Sequence, residues 1–362
     1  MTDRVVVLRA PGEVAIREEE SAPPGDGQVR VRTRYSGISA GTELSYVKGT
    51  NPYLSSRFDR TLGVFLPGEP SVTYPIDRLG YMAVAEVVES RSPVVAEGAL
   101  VAMAYGHRTG YVADPLVDRM VPLPSELDPL LGIFVAHMGP ICANGLLHAA
   151  ADLHGADVRG LGDGVRGRRV AVVGAGVVGL LTALFARRHG AASVLVLDPT
   201  PRRRAVAEAL GLDTLDPSAE DPAVVVKSRW RHGRDDRGAD VVFQCRGQPW
   251  ALHQGLRLLR PQGTVVDLAF YQGGADAVRL GEEFHHNGLT VRCAQIGRVP
   301  RGLSSLWDRE RLSAETIDLL AEYGDAVRTH LISAVVPFDD APTLFADLAA
   351  RRRHELQVVL SC

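Results

Sequence analysis

A glycine-rich turn between a predicted strand and a predicted helix carries the clearest chemical signal in the sequence. The apolar run at residues 170–173 leads directly into Gly-Ala-Gly-Val-Val-Gly at 174–179, and an apolar helical stretch follows. In such a turn the first glycine permits a tight bend, the second lets the backbone approach a pyrophosphate, and the third lets the helix pack against the strand. The start of the helix adds free N–H groups and the positive end of its dipole. The pattern predicts a dinucleotide site with these contact residues: Gly174, Gly176, Val177, Val178 and Gly179.

The type of dinucleotide is indicated by Asp198, which follows the next predicted strand at residues 194–197. A carboxylate at this position hydrogen-bonds the ribose 2′-hydroxyl of NAD and repels the 2′-phosphate of NADP. Arg202, Arg203 and Arg204 follow closely, and any of them could pair with such a phosphate or belong to the first turn of a surface helix. We take Arg203 as a cofactor contact, and Asp198 favours NAD(H) as the cofactor.

The elements that hold this turn fall into two regions with different patterns. The first 140 residues read as short strands separated by turns, without long helices. From about residue 168, strand-like and helical runs alternate, which is typical of βαβ units around a parallel sheet. Farther on, the sequence offers a helix near 313–323 and a closing strand at 356–360. We expect an α/β protein in which residues 1–143 and 295–362 form a β-rich domain and residues 144–294 form a doubly wound parallel-sheet domain.

Composition excludes several other classes of protein. The net charge is −3 with acids and bases interspersed, whereas a nucleic-acid binder needs a clustered basic excess. No apolar run reaches the length of a membrane span, and the N-terminus lacks a signal-peptide pattern. We therefore expect a cytoplasmic protein that acts on a small-molecule substrate and has no nucleic-acid or membrane partner. The cysteines are widely spaced, which indicates neither a disulfide framework nor a structural zinc lobe: Cys142, Cys245, Cys293 and Cys362.

Three further stretches resemble motifs of the medium-chain dehydrogenase/reductase superfamily, which includes zinc alcohol, sorbitol and threonine dehydrogenases. Residues 36–43 (Ser-Gly-Ile-Ser-Ala-Gly-Thr-Glu) are similar to its S-G-I-C-G-T-D motif, and residues 79–88 to its L-G-H-E-x-x-G-x-V motif. Residues 256–266 resemble the stretch that enters the last strands of its sheet. The resemblance covers nearly the whole chain. It implies a GroES-like β-rich catalytic domain interrupted by a Rossmann domain, and a homodimer or homotetramer built through the Rossmann sheets.

The departures from these motifs concern the catalytic zinc. In the zinc members, the cysteine of the first motif and the histidine of the second bind the metal. Here Ser39 or Ala40 stands at the cysteine position, and Tyr81 stands at the histidine position. No acid lies near residues 139–140, where the resemblance places the third ligand. Catalytic zinc needs three protein ligands around an open position, so we expect no metal in this chain.

Without a metal, protein groups must polarise the substrate oxygen and handle its proton as hydride moves. Tyr81 is the first candidate for the proton donor, and its alternative is a packing aromatic at the domain junction. Thr42 matches the proton-relay hydroxyl of the family, and Glu43 matches the acid after it, either as a general base or as a residue that orients its neighbours. His137 and His107 are further acid–base candidates, although a lone histidine is more often structural.

The resemblance favours the reversible interconversion of a secondary alcohol and a ketone with NAD(H). The chain is most similar to a zinc-less subgroup with Gly-Tyr in place of Gly-His and a Q-x-G-R-V-P stretch, here residues 295–300. Relatives in this subgroup act in specialised biosynthesis on sugars, cyclitols or pigment precursors. One alternative is NADPH-dependent reduction of an activated C=C bond, against which Asp198 argues. Another is a non-catalytic nucleotide-binding role, against which the retained Thr42, Glu43 and Tyr81 argue.

Overall fold

The computed structural model describes residues 1–362 and divides into two compact units. One unit comprises Met1–His137 and Ile332–Cys362, and the other comprises Met138–Leu331. These bounds differ from the sequence prediction, which placed the boundaries at residues 143 and 295. The return to the first unit comes later because the long helix Arg309–His330 packs on other helices of the second unit, with Thr316 directly against Gly139.

Helices and strands are numbered in chain order through both units. The strands are β1 (Thr2–Ala10), β2 (Glu13–Glu20), β3 (Val29–Ile38), β4 (Arg57–Asp59), β5 (Val64–Leu66), β6 (Ala83–Ser90), β7 (Leu100–Met103), β8 (Gly110–Ala113), β9 (Val121–Pro122), β10 (Arg169–Val173), β11 (Ser193–Leu197), β12 (Asp213–Leu215), β13 (Ala239–Gln244), β14 (Leu259–Asp267), β15 (Thr290–Cys293), β16 (Ile332–Pro337) and β17 (Gln357–Ser361). The α-helices are α1 (Ala40–Val47), α2 (Met138–His154), α3 (Val177–Arg188), α4 (Pro201–Ala209), α5 (Pro222–Arg229), α6 (Pro249–Leu258), α7 (Arg309–His330) and α8 (Ala341–Ala349).

The first unit is built around a seven-stranded sheet. Its strand order is β16-β17-β3-β6-β7-β9, and β8 also pairs with β3. The pairing of β16 with β17 is parallel, and every other pairing in this sheet is antiparallel. Two hairpins, β1-β2 and β4-β5, form separate two-stranded sheets. The helix α8 packs against α1 and β2, where Phe345 is fully buried.

The second unit contains a six-stranded sheet in which all neighbouring strands are parallel. Its order, β12-β11-β10-β13-β14-β15, is that of a doubly wound α/β fold. The runs at 170–173 and 194–197 are apolar at every position because helices cover both faces of a parallel sheet. The structure confirms the predicted α/β class, with a β-rich unit interrupted by a parallel-sheet unit.

The helix α7 is longer than the sequence pattern indicated. It begins at Arg309, after Asp308 caps it by accepting a hydrogen bond from the Arg311 backbone N–H at 2.8 Å. No helix of the structure combines the length and the apolar character that a membrane span requires.

The strand order places the carboxyl end of β10 at a topological switch point. The chain runs from β10 to β11 on one side and later returns to place β13 on the other side of β10. Ligands of open α/β sheets bind outside the carboxyl ends of the strands at such a point. The glycine-rich turn follows β10 directly, so it lies where this rule puts a nucleotide.

A buried ion pair joins β1 to β3 in the first unit. Asp3 on β1 accepts a hydrogen bond from the Arg30 guanidinium on β3, and each side chain is only 6% exposed. The Ser21 hydroxyl also donates to Asp3. Because two charges are removed from water here, each depends on the other for compensation.

Replacement of Asp3 by alanine is expected to lower the free energy of unfolding by about 3–5 kcal/mol, because it leaves the Arg30 charge buried without a partner. Urea denaturation followed by circular dichroism measures the change. The matched control is Arg17→Ala, which breaks an exposed pair with Glu19 and should leave the stability nearly unchanged because solvent screens that pair. Equal losses in both variants would contradict the assignment of Asp3–Arg30 as a stabilising pair.

Candidate active site

The glycine-rich turn has the geometry of a phosphate-binding turn. Gly174 has a φ of +107°, in the region that side-chain-bearing residues avoid. A Cβ atom on Gly179 would lie 1.8 Å from the Gly174 carbonyl oxygen, so only glycine allows this packing. A Cβ atom on Gly176 would meet no atom within 4 Å, which means that the tip of the turn faces open space. Val177 and Val178 form the first turn of α3, whose leading N–H groups lack partners within the helix. The turn thus offers both space and donors to an anion.

Asp198 follows β11 and is fully buried. Its Oδ2 accepts a hydrogen bond from the Ala175 backbone N–H at 3.0 Å, and its Oδ1 accepts one from the Thr200 backbone N–H at 2.8 Å. The carboxylate therefore joins the glycine-rich turn to the loop before α4. The structure brings this acid to the turn, as the sequence predicted, and it also gives the acid a structural role.

Arginine side chains surround the same carboxylate. Arg203 Nη1 lies 3.9 Å from Asp198 Oδ2, and Arg246 Nη1 lies 3.7 Å from it. Arg204 instead donates to the Asp198 carbonyl oxygen at 2.7 Å and pairs with Asp216 at 2.9 Å. Burial lowers the pKa of the Arg246 guanidinium, Asp198 raises it, and Arg203 lowers it further. Two guanidinium groups consequently share one buried carboxylate.

Arg246 is not among the residues that the sequence pattern predicts for the site. It lies just beyond the end of β13, far along the chain from the glycine-rich turn. Because β13 pairs with β10, the residues after each strand end beside one another. The position of an arginine directly after a strand of the alternating pattern is the signal that could have found it.

The first unit holds a cluster of hydroxyl groups, which we call the hydroxyl cluster and define as Ser39, Thr42 and Tyr81. The Tyr81 hydroxyl donates a hydrogen bond to the Ser39 hydroxyl and lies 3.5 Å from Thr42 Oγ1. The rings of Tyr81 and His137 pack together with centroids 4.6 Å apart. Burial, and after it the charge of Glu43, raise the pKa of Tyr81 to about 12, against the opposing effect of the Ser39 and Thr42 hydroxyls. The phenol is therefore protonated at neutral pH and can donate a hydrogen bond.

A buried polar network lies directly behind the hydroxyl cluster. Glu43 Oε1 accepts a hydrogen bond from the Ser39 backbone N–H at 2.8 Å, and its Oε2 lies 2.8 Å from His107 Nε2. His107 Nδ1 in turn lies 2.7 Å from the Ser36 hydroxyl. Ser36 and His107 are fully buried, and Glu43 is 1% exposed. This geometry suits Glu43 for orienting Ser39 and gives His107 a buried structural partner.

His107 also fixes the backbone that carries Tyr81. The backbone N–H of His107 donates a hydrogen bond to the Leu79 carbonyl oxygen at 2.7 Å. Its ring packs so closely on Gly80 that a Cβ atom there would lie 2.7 Å from the ring, and Gly80 has a φ of +106°. The Gly-Tyr pair thus combines a backbone position that requires glycine with a side chain in the hydroxyl cluster.

The residues predicted from the sequence thus form two groups, one in each unit. Tyr81, Thr42, Glu43 and His137 lie together in the first unit. The glycine-rich turn, Asp198 and Arg203 lie together in the second.

Comparisons with known proteins agree with this architecture. The zinc-binding dehydrogenase family matches residues 177–309 of the chain. The D-guloside 3-dehydrogenase of Shigella flexneri is 28% identical over 348 residues, which cover 93% of each chain.

Solved structures share the fold along the entire chain. A protein from Sinorhizobium meliloti 1021, described as a zinc-binding dehydrogenase and bound to NADP, superposes with a TM-score of 0.75 at 23% identity and covers 100% of both chains. A short chain alcohol dehydrogenase from Escherichia coli CFT073 in complex with NADH gives a TM-score of 0.74 at 16% identity, with 100% of this chain and 99% of that chain covered. At these identities the two structures establish a common fold. The family match over residues 177–309 and the dehydrogenase relative add a similarity in sequence to this common fold.

Proposed function

We propose that this protein is a zinc-independent, NAD(H)-dependent dehydrogenase that interconverts a secondary alcohol and a ketone. The observation that carries the proposal is the hydroxyl cluster. Tyr81 stands where the resemblance places a histidine ligand of the zinc members, and its phenol donates to Ser39, one of the two candidates, with Ala40, for the position of their cysteine ligand. The glycine-rich turn and Asp198 supply the nucleotide site that such a reaction needs.

The donor set of the hydroxyl cluster does not fit a catalytic zinc. Zinc in proteins is held by thiolate, imidazole or carboxylate groups, and a hydroxyl is not among them. The raised pKa of Tyr81, about 12, keeps its oxygen protonated and unavailable as an anionic ligand. Glu43 Oε1 already accepts a hydrogen bond from the Ser39 backbone N–H, and its Oε2 faces His107 Nε2. Of the remaining side chains, His137 alone offers the nitrogen that zinc prefers.

A second group of side chains with metal-binding atoms lies in the second unit. His253, Glu282 and Glu283 place ligand atoms within 4.8 Å of one another. Glu282 already pairs with Arg279 at 3.1 Å, and Glu283 pairs with Arg257 at 3.2 Å. Because each carboxylate is already paired with an arginine, we assign no zinc to this group.

Tyr81 is the group that we assign to the substrate oxygen. When bound, the nicotinamide ring of the cofactor accepts or supplies the hydride. The Tyr81 hydroxyl donates a hydrogen bond, and then its proton, to the oxygen of a ketone as it becomes an alcohol. Ser39 and Thr42, which contact the phenol oxygen, position it and can pass a proton back to it. The raised pKa keeps the phenol protonated, so it can donate to the oxygen of a ketone, and it leaves very little phenolate at neutral pH to act as a base in alcohol oxidation.

The residues of the second unit fit a nicotinamide dinucleotide. The open space at Gly176 and the leading N–H groups of α3 suit the pyrophosphate. Asp198 suits the adenosine ribose, whose 2′-hydroxyl a carboxylate recognises. The NADH-bound and NADP-bound relatives support a nicotinamide cofactor, and Asp198 is the reason to propose NAD(H).

We assign the substrate to the polyhydroxylated alcohols, such as sugars and cyclitols. Support comes from the similarity to D-guloside 3-dehydrogenase over nearly the whole length of both chains. A screen of sugars and cyclitols for NADH production tests this assignment. A protein that oxidises only simple aliphatic alcohols would contradict it.

Tyr81→Phe is expected to lower kcat/KM for ketone reduction by about 10²–10⁴-fold, because it removes the proposed proton donor. Affinity for NADH should not change. In the unmodified protein, the contribution of Tyr81 persists until the pH approaches its pKa of about 12, because the phenol donates only while protonated.

The matched control for this variant is Tyr105→Phe, which removes another buried phenol, bonded to Thr33 at 2.7 Å. It should retain full activity. Undiminished turnover in Tyr81→Phe would show that another group donates the proton.

NADH is expected to bind at least about tenfold more tightly than NADPH, because a carboxylate at the ribose repels a phosphate. Asp198→Asn should reduce this preference. Asparagine is chosen because its amide oxygen can still accept one of the two backbone N–H groups, from Ala175 or Thr200, whereas alanine would leave both without an acceptor. Titration of intrinsic fluorescence gives both dissociation constants. Asp216→Asn serves as the control, and an equal loss of preference in it would refute the role of Asp198.

Purified protein is expected to contain substoichiometric zinc, and treatment with EDTA should leave turnover unchanged, since Tyr81 stands at one ligand position and Ser39 or Ala40 at the other, none of which binds zinc. Elemental analysis and steady-state kinetics of the same preparation test both points. One zinc per chain, lost together with activity and restored by added zinc, would refute zinc independence.

A further inference from the structure

Arg246 occupies a constrained position beside the nucleotide turn. A Cβ atom on Gly174 would lie only 3.1 Å from Arg246 Cβ, so the stem of the arginine lies directly against the turn. Its Nε donates to Gln248 Oε1 at 3.2 Å, and its guanidinium carbon lies 5.1 Å from the centroid of the Trp250 ring. These contacts aim the guanidinium at the loop that carries Asp198.

One atom of this guanidinium lacks a hydrogen-bond partner. Arg246 Nη1 is buried and makes no hydrogen bond, although it lies 3.7 Å from Asp198 Oδ2. Buried donors are rarely left without a hydrogen-bond partner. A bound ligand that accepts a hydrogen bond from this atom would explain the exception. An anion next to Asp198 would provide the missing acceptor.

The charges around Asp198 favour such an anion. Both oxygens of the carboxylate already accept backbone N–H groups, and Oδ2 is also shared between Arg203 and Arg246. Two positive charges therefore face one negative charge that is fully buried. The net charge of these three side chains is positive. The repulsion that Asp198 alone would exert on a phosphate is therefore weakened.

We propose that Arg246 limits the selectivity for NADH, by giving the adenosine ribose end of the nucleotide site an affinity for the 2′-phosphate of NADPH. The protein then binds both nicotinamide dinucleotides, with the preference for NADH set by Asp198 and limited by Arg246. This inference rests on the dinucleotide site of the proposed function.

The position of Arg246 Nη1 favours a contact with the 2′-phosphate over a contact with the pyrophosphate. A carboxylate at the position of Asp198 faces the ribose hydroxyls, and the unpaired Arg246 Nη1 lies next to this carboxylate. The pyrophosphate instead belongs to the leading N–H groups of α3. Loss of Arg246 must therefore affect NADPH and spare NADH.

The test compares dissociation constants of NADH and NADPH for the full chain by fluorescence titration. Arg246→Met keeps the apolar stem beside Trp250 and removes the charge. It is expected to weaken NADPH binding by about 10- to 100-fold, the value of a lost charge-assisted hydrogen bond, and to change NADH binding by less than about threefold. Arg246→Lys should restore part of the NADPH affinity, because it keeps the charge without the planar donor group.

Salt dependence provides a second measurement. Added salt should weaken NADPH binding more steeply in the unmodified protein than in Arg246→Met, because screening acts on the interaction that the variant lacks. The matched control is Arg229→Ala, which removes an exposed arginine of the same unit that pairs with Asp213. Its selectivity should equal that of the unmodified protein. Thermal unfolding checks that each variant is folded. If Arg246→Met does not fold, the same comparison of NADH and NADPH binding is made with Arg246→Lys.

The outcomes are distinct. Selective loss of NADPH binding supports the role of Arg246. Equal weakening of both dinucleotides would assign the arginine to the pyrophosphate and overturn the inference, as would unchanged constants in the variants. Failure of the unmodified protein to bind either dinucleotide would overturn the proposed function as well.

Discussion

The buried carboxylate of Asp198 is the interaction on which the nucleotide turn depends. It accepts backbone N–H groups from Ala175 in the glycine-rich turn and from Thr200 before α4. These two loops follow neighbouring parallel strands, and the Gly174 N–H also donates to the Leu197 carbonyl oxygen at 2.8 Å. A charged acceptor makes stronger hydrogen bonds than a neutral one, so one side chain fixes both loops. The same residue that would read the ribose thus also shapes the turn that would receive the phosphates.

Buried acids elsewhere in the chain follow the same physical requirement. A carboxylate that leaves water must gain hydrogen bonds or an opposite charge in compensation. Asp3 gains Arg30, Glu43 gains the Ser39 N–H and His107, and Asp198 gains two N–H groups and two arginines. The groups that compensate Glu43 and Asp198 belong to the candidate site. Stability and function are coupled there, because a change in either acid would disturb both.

In the proposed reaction, the hydroxyl cluster supplies an electrophilic group in place of a metal. The phenol of Tyr81 is held by two hydroxyl groups, and its protonated state is secured by burial and by the charge of Glu43. The network through Glu43, His107 and Ser36 restricts the backbone on which this cluster stands. Donors fixed before the reaction begins need no reorganisation as charge develops on the substrate oxygen.

The sequence by itself determined the local features of the nucleotide site. The strand, the glycine-rich turn, the helix and the acid after the next strand are all encoded within a short segment, and the structure forms α3 directly after the turn, as that pattern predicts. Only the tertiary structure decided that Arg246 lies beside Asp198 and that His107 meets Glu43. Those contacts depend on the pairing of strands far apart in the chain, and no local pattern specifies such pairing. The later return to the first unit was likewise decided by tertiary contacts, in this case between helices, because α7 packs on other helices of the second unit.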